Sequence, residues 1–519
     1  MARYKLLLVI LTILSGNVPK SFCANILITE DLPSKSHQIW NYVVADALVA
    51  KGHNVTVLGP KSISTERHER FHSIVLEGLT KSVATLFTPD ELTKVGVIDN
   101  ILLINNFAVF ACNYSVNTEG FKFLMNYPKD FKFDLILSDV TLSNCLLPIS
   151  QRFNFPPTAA LTAFMLPPHV SEAFGNPYPL SYLPYDLLNF SDQMNFFERL
   201  QNYALARMDT FLKYIYFEHK IEEVARSAFG NDMRPLEDFA NRLSLLICNL
   251  TPGFHYPRPI TPNIIPVGGL HINPKKKLPQ DLQQIMDDSK NGVILFALGS
   301  NLRSDSLAPE KKIAILEVFG QLNQTVLWKF ESQLTNVPKN VIIRKWLPQT
   351  EILAHPNMKL FVSHGGALST TEAAYFGVPI IGMPFFVDQR FNIELVVSKK
   401  LGVKLEYSAL TKESFLSSIQ EILGNSRYSV EIKKLSEQLR DQTEPAINRA
   451  VFWIEFLMRH NGTHIFDPKS RHLSNFVLSS TDVLLFLSVL ACLLTYICYK
   501  VLFLVLRRLC YDCRKIKKE

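Results

Sequence analysis

Cysteine is scarce where a secreted scaffold would need it. The 519-residue chain has 8 cysteines. Cys23 ends an apolar leader, Cys492 and Cys498 lie in a late apolar run, and Cys510 and Cys513 follow that run. Only Cys112, Cys145 and Cys248 remain in the body, enough for one disulfide at most, so a disulfide framework is excluded. Cys510-x-x-Cys513 lacks a second pair, which argues against a zinc site. Charged residues are also few, at 19% of the chain, and they form no basic stripe interleaved with aromatics. No nucleic-acid partner is therefore expected; much of the net charge of +7 sits in the last dozen residues. No Asp-x-Asp pair and no repeat of solenoid length occurs. The hydrophobic content of 47% is globular rather than disordered.

What is present begins with size. A chain of this length fits two domains of roughly 200–250 residues. Leu6 to Leu14 is a short apolar run after a basic start, with small residues near Cys23, which reads as a cleaved secretory signal over residues 1–23. Val483 to Tyr499 carries no charge, Lys500 interrupts, and Val501 to Leu506 resumes. Residues 481–506 are thus expected to span a bilayer, with Lys500 snorkelling. Arg507, Arg508, Arg514, Lys515, Lys517 and Lys518 follow, so residues 507–519 read as a cytosolic basic tail of a single-pass type I protein. Lys515 and Lys517 resemble a dilysine retrieval signal for the endoplasmic reticulum. Asn54, Asn113, Asn189, Asn249, Asn323 and Asn461 each open a glycosylation sequon upstream of the span, which agrees with a lumenal body.

Along the chain, Asn25 to Thr29, a helix over residues 36–51 and Asn54 to Leu58 read as a βαβ unit, hence a parallel sheet. Phe133 to Ser138 and Thr158 to Leu161 read as later strands of that sheet. Residues 59–132 carry no clear period. Residues 165–225 are rich in proline and aromatics, suited to lining a cleft or touching a bilayer. His271 to Pro279 has linker chemistry. Beyond it, strands alternate with helices again. Two doubly wound α/β domains facing a cleft are expected, with ligands at the carboxyl ends of the strands.

The most informative stretch is Phe361-Val-Ser-His-Gly-Gly366 with the helix Ala367 to Phe376 that follows. A strand runs through two glycines into a helix whose first N–H groups have no internal partner. Glycine lets a ligand approach the backbone, and the helix dipole favours an anion there. A diphosphate suits those groups, helped by the Ser369 hydroxyl and by His364 as a donor. Glu372, one turn on, can accept from two ribose hydroxyls. Asp388 and Gln389 follow the next strand and suit sugar hydroxyls. Trp346 offers a flat face for uracil.

Trp346-Leu-Pro-Gln349, His355-Pro, Phe361-Val-Ser-His-Gly-Gly366, Glu372, Gly377-Val-Pro379 and Pro384-Phe-Phe-Val-Asp-Gln389 together resemble the signature of the UDP-glycosyltransferase family, and the leader and late anchor are similar to its membrane-bound animal members. The resemblance implies a GT-B fold of two Rossmann-like parallel-sheet domains plus a C-terminal transmembrane helix. It places acceptor binding in residues 24–272, UDP-sugar binding in residues 280–445, and a closing helix and stalk in residues 446–480. By the same resemblance Trp346 and Gln349 hold uridine, Ser300, His364, Gly365, Gly366 and Ser369 surround the diphosphate, Glu372 holds the ribose, and Asp388 with Gln389 the transferred sugar. Leu368 departs from the pattern, since many relatives carry asparagine there.

In the first domain, Pro33-Ser-Lys-Ser-His37 resembles the family's catalytic-base motif. Histidine titrates near neutral pH and suits removal of a hydroxyl proton. Asp139 matches the carboxylate that orients it, a role familiar from hydrolase triads. The implied reaction is a single inverting displacement of UDP by an acceptor oxygen, with no cofactor, no metal and UDP-glucose or UDP-glucuronate as donor. Lys329 and Arg258 are the candidate cations for a glucuronate carboxylate; the balance leans to glucose. The partners implied are a UDP-sugar, a small lipophilic acceptor and a lipid bilayer, with self-association left open. Two rivals stand beside this reading: a transferase dedicated to one endogenous lipid, pigment or hormone, and a catalytically silent sugar-nucleotide- or lipophile-binding membrane protein. The intact His37, Asp139, Asp388 and Gln389 weigh against the silent one.

Overall fold

The structure, a computed structural model, describes residues 23–61, 68–83 and 88–516. The expected leader, apart from Cys23, and Lys517 of the dilysine pattern lie outside the described residues. The chain divides into two units at Asp467 and Pro468. The first unit carries two sheets. Strands β1 (Asn25–Thr29), β2 (Asn54–Gly59), β3 (Phe71–Val75), β4 (Leu135–Asp139), β5 (Thr158–Thr162), β6 (Leu246–Cys248) and β7 (Ile264–Pro266) form a parallel sheet in the order 3-2-1-4-5-6-7. Strands β8 (Val293–Ala297), β9 (Thr325–Lys329), β10 (Val341–Arg344), β11 (Met358–Ser363), β12 (Ile380–Gly382) and β13 (Gly402–Lys404) form a second, in the order 10-9-8-11-12-13. Both are doubly wound, and each reverses direction beside its first strand, between β1 and β4 and between β8 and β11.

These strands are short apolar runs because helices cover both faces, so no polar side is needed. Ile26, Leu27 and Ile28 are fully buried, as are Val293 to Phe296. Under the second sheet, Phe296, Phe319, Trp328 and Phe415 meet edge to face, an arrangement the aromatic quadrupole favours. The last helix of this unit, Ala446–His460, returns to the first sheet. Its Ala450, Val451, Ile454 and Leu457 join the core holding Ile26 and Val44.

Several expectations are adjusted. Asp139 ends β4 rather than following it. The described part of residues 59–132, unreadable by period, includes β3 and the helices Leu79–Val83, Pro89–Lys94, Val97–Val116 and Glu119–Met125. The helix Val97–Val116 is apolar and long enough to cross a membrane, but its Ile101, Ala108 and Ala111 are buried in the domain and Cys112 is bonded to Cys145. Cys248 is buried and free. Asn249 opens a sequon, yet it is 1% exposed and its carbonyl accepts from the Gly269 amide, so a glycan has no room there. The second unit holds the helix Thr481–Ile516, of which Thr481–Tyr511 is long and apolar enough to cross a membrane.

Candidate active site

The two places where the sheets reverse direction carry His37 and Asp139 in the first sheet and Ser300 and His364 in the second, as open α/β sheets favour; Trp346 follows the edge strand β10 and Asp388 follows β12. After β1 the chain turns through Ser34 into the helix Lys35–Ala50, which sets His37 in its first turn. Neighbouring β4 ends on Asp139. His37 Nδ1 lies 3.1 Å from Asp139 Oδ2, both side chains almost fully buried. Asp139 also accepts from Asn41 Nδ2 at 3.1 Å and from the Thr141 amide at 2.9 Å. Burial opposes its ionisation, but His37 and the Thr141 donors outweigh that and hold the carboxyl below its ordinary value. A carboxylate on Nδ1 places the proton there and leaves Nε2 as an acceptor. The edge of Phe164 meets the imidazole, ring centres 5.0 Å apart.

Two further acids lie beneath this pair. Burial pushes Glu30 up to about 8, and Asn41 Nδ2 donates to it at 2.6 Å. Burial likewise pushes Asp31 up to about 7, beside the Ser143 hydroxyl at 3.0 Å. Neither residue was singled out from sequence; an acidic pair directly after an apolar strand was the available signal.

In the second domain β8 leads into Gly299-Ser300 and β11 into His364-Gly365-Gly366. Gly299 and Gly365 have φ of +76° and +86°. A Cβ on Gly299 would come within 2.4 Å of His364 Cε1, and one on Gly366 within 2.6 Å of His364 Nε2. The imidazole is thus clamped between two glycines. Burial, with Lys329 nearby, pulls it down to about 4, so it is neutral at pH 7. Its buried Nδ1 has no partner among the described residues. The helix Ala367–Phe376 starts at once with no side-chain cap, leaving its first amides for an anion.

Gln349 Nε2 donates to Ser369 Oγ at 3.0 Å and to Glu372 Oε2 at 2.6 Å. Glu372 Oε1 meets His271 Nε2 at 3.0 Å. His271 was assigned to a linker from its Pro- and Lys-rich surroundings; its side chain is instead 2% exposed against the ribose candidate. Asp388 is buried, which pushes it up to about 6, with Asn392 at 2.7 Å and the nearby His37 offsetting part of the rise. Asp388 therefore lies within electrostatic reach of His37 of the opposite domain. Gln389 is placed differently from expectation: its Oε1 accepts from the Phe385 and Phe386 amides at 2.9 and 3.3 Å, so its carbonyl shapes the loop and only its NH₂ is left for a ligand. Leu368 belongs to the apolar cluster that holds Val267 and Leu270. Trp346 is 50% exposed, but the Lys35 ammonium stands 3.3 Å above its ring.

A family model described as UDP-glucoronosyl and UDP-glucosyl transferase matches residues 28–518. The chain belongs to that family. This UDP-glycosyltransferase is 34% identical to UDP-glucosyltransferase 2 of Dactylopius coccus over 89% of the chain and 91% of that protein. It is 30% identical to human UDP-glucuronosyltransferase 2B15 over 93% of the chain and 92% of that protein. Among solved structures, the calicheamicin glycosyltransferase CalG4 matches with a TM-score of 0.55 and 16% identity, covering 85% of the chain and 99% of that structure. Spinosyn forosaminyltransferase SpnP matches with a TM-score of 0.55 and 16% identity over 84% and 99%. At such identity these establish the fold, GT-B. The enzyme transfers glucose or glucuronic acid from UDP to an acceptor.

Proposed function

We propose that this transferase moves glucose from UDP-glucose, with inversion, to hydroxyl groups of small lipophilic acceptors, and that His37 is the base. The observation that carries the proposal is the buried His37–Asp139 contact at 3.1 Å, with Asp388 of the other domain within electrostatic reach. As the acceptor oxygen bonds to the anomeric carbon, His37 Nε2 takes its proton. The bond from that carbon to the diphosphate oxygen breaks on the other side, and UDP leaves with the electron pair. Asp139 stabilises the imidazolium formed. The helix amides after Gly366 and the Ser369 hydroxyl receive the leaving charge, where prearranged dipoles act most strongly. Phe164 against His37 gives the acceptor an apolar wall.

The donor preference rests on the two candidate cations. Lys329 is ion-paired with Glu331, both largely buried. Arg258 donates to the Leu166 carbonyl and lies over the Tyr178 ring. Lys329 is thus not left to a sugar carboxylate, whereas the buried Arg258 Nη2 keeps no hydrogen-bond partner among the described residues; the neutral hexose is favoured by the pairing of Lys329 and by the naming of the Dactylopius relative. Glucuronate is the second reading, favoured by the human relative. We place the enzyme in the endoplasmic reticulum membrane, spanning once through Thr481–Tyr511 with the catalytic unit in the lumen. The exposed sequons at Asn113, Asn189, Asn323 and Asn461 support that side, and an endoglycosidase-sensitive mass shift tests it. For the reaction, microsomes receive labelled UDP-glucose or UDP-glucuronate with a phenolic acceptor. Transfer from UDP-glucose should dominate and vanish in His37→Ala while UDP binding persists. Full activity in that variant would refute the base, and preference for glucuronate would refute the donor.

A further inference from the structure

Lys35 lies two residues before His37 on the first domain, yet its ammonium covers the ring of Trp346 on the second at 3.3 Å. Trp346 is the surface assigned to uracil above. A base can stack on that covered face only by displacing the lysine. The root of Lys35 is pinned close to the phosphate loop. Ser34, directly before it, accepts from Asn301 Nδ2 at 3.0 Å, and Asn301 follows Gly299-Ser300, the turn packed on His364. Lys35 also lies within electrostatic reach of Lys61 and of Lys329, which in turn acts on His364. Lys329 is neutralised by Glu331. Lys35 has no such carboxylate among the ion pairs of the described residues. Burial and these two lysines lower its proton affinity, so a diphosphate would relieve repulsion as well as gain attraction.

We infer that Lys35 is a donor-binding residue that changes partners: it covers Trp346, yields that face to the uracil ring of an incoming UDP-sugar, and turns its ammonium onto the diphosphate. Its four-carbon stem permits the swing while Ser34 stays bound to Asn301. Because the lysine belongs to the acceptor domain and the diphosphate to the donor domain, the exchange ties nucleotide binding to closure of the cleft around His37. The inference rests on the stacking and diphosphate assignments proposed above.

The test compares uridine, which has no phosphate, with UDP on full-length enzyme in detergent micelles, by titration calorimetry. Lys35→Met keeps the stem and removes the charge. Uridine should bind about two- to fivefold more tightly, since a cation–π contact no longer competes. UDP should bind about tenfold or more weakly, since a charge-assisted contact is gone. Lys35→Arg should keep most of the UDP affinity. Uridine affinity that stays level or falls in Lys35→Met, or UDP affinity that does not fall, would overturn the exchange. Trp346→Ala separates the two levels. If it leaves uridine binding intact, the stacking assignment fails and the exchange fails with it. If it removes uridine binding while Lys35→Met alters neither ligand, only the exchange is refuted.

Discussion

Replacing Asp139 by asparagine changes one atom at the centre of the proposed mechanism. Asp139 receives three donors: His37 Nδ1 and Asn41 Nδ2 on Oδ2, and the Thr141 amide on Oδ1. An asparagine keeping its carbonyl on Thr141 turns its NH₂ toward two other donors. Flipped, it turns NH₂ toward the Thr141 amide. If Asn41 also flips, its Oδ1, unpartnered in the parent, accepts from the new NH₂ and from the protonated Glu30, and the arrangement with no N–H groups opposed has His37 accepting at Nδ1, which moves its proton to Nε2. That tautomer cannot take a proton from the acceptor. By analogy with triads carrying the same change, kcat should fall about 10³–10⁴-fold, or roughly 4–5.5 kcal/mol in the barrier. UDP affinity should stay within about twofold, because none of the donors to Asp139 lies in the second domain. Labelled glucose transfer in microsomes gives kcat, and UDP titration gives affinity. A folded Asp139→Asn enzyme with kcat within tenfold of the parent would refute the tautomer argument.

Three other predictions follow from buried groups. Glu30 binds its proton more tightly folded than unfolded, so the stability it contributes is full below about pH 4.5 and is lost as pH rises through about 8. Glu30→Gln should flatten the fall in melting temperature between pH 6 and 9 and stabilise the protein at pH 9 by a few kcal/mol, since tenfold in proton affinity is about 1.4 kcal/mol; an unchanged slope would count against it. Cys112 and Cys145 are 33 residues apart, so replacing both with alanine should cost about 3–4 kcal/mol of unfolding free energy, read by thermal denaturation; a loss below 1 kcal/mol would show that the loop is not constrained by the bond. Gly299→Ala sets a Cβ against His364 at a φ of +76°, which costs about 1–3 kcal/mol and should weaken UDP binding about tenfold or more; unaltered affinity would separate that turn from the diphosphate.

The second domain was legible because its ligand chemistry is local. Two glycines, a helix start and the hydroxyl and carboxylate one turn later all follow one strand within a dozen residues, so spacing alone places them together. The same holds for the helix Ala367–Phe376, whose limits the sequence predicts. His37 and Asp139 lie 102 residues apart, and physical reasoning on one chain could not join them without the family pattern. Residues 59–132 resisted because the helix Val97–Val116 is apolar on most of its circumference: it buries Ile101 and Ala108 while leaving Ile98 and Phe110 exposed, which erases the period that marks a half-buried helix. Flanking lysines and prolines give His271 the look of a linker residue, although its own side chain turns inward. A cation–π contact between domains, such as that of Lys35 with Trp346, leaves no mark in either local sequence.

The central claim is that the imidazole of one domain meets an acceptor oxygen while the other domain holds the diphosphate. A structure of the full-length enzyme with UDP and a phenolic acceptor tests it most directly. The account predicts diphosphate oxygens on the amides that follow Gly366 and a phenol oxygen within hydrogen-bonding distance of His37 Nε2. Diphosphate bound away from that helix, or a phenol whose oxygen lies out of reach of His37 in a closed complex, would contradict it.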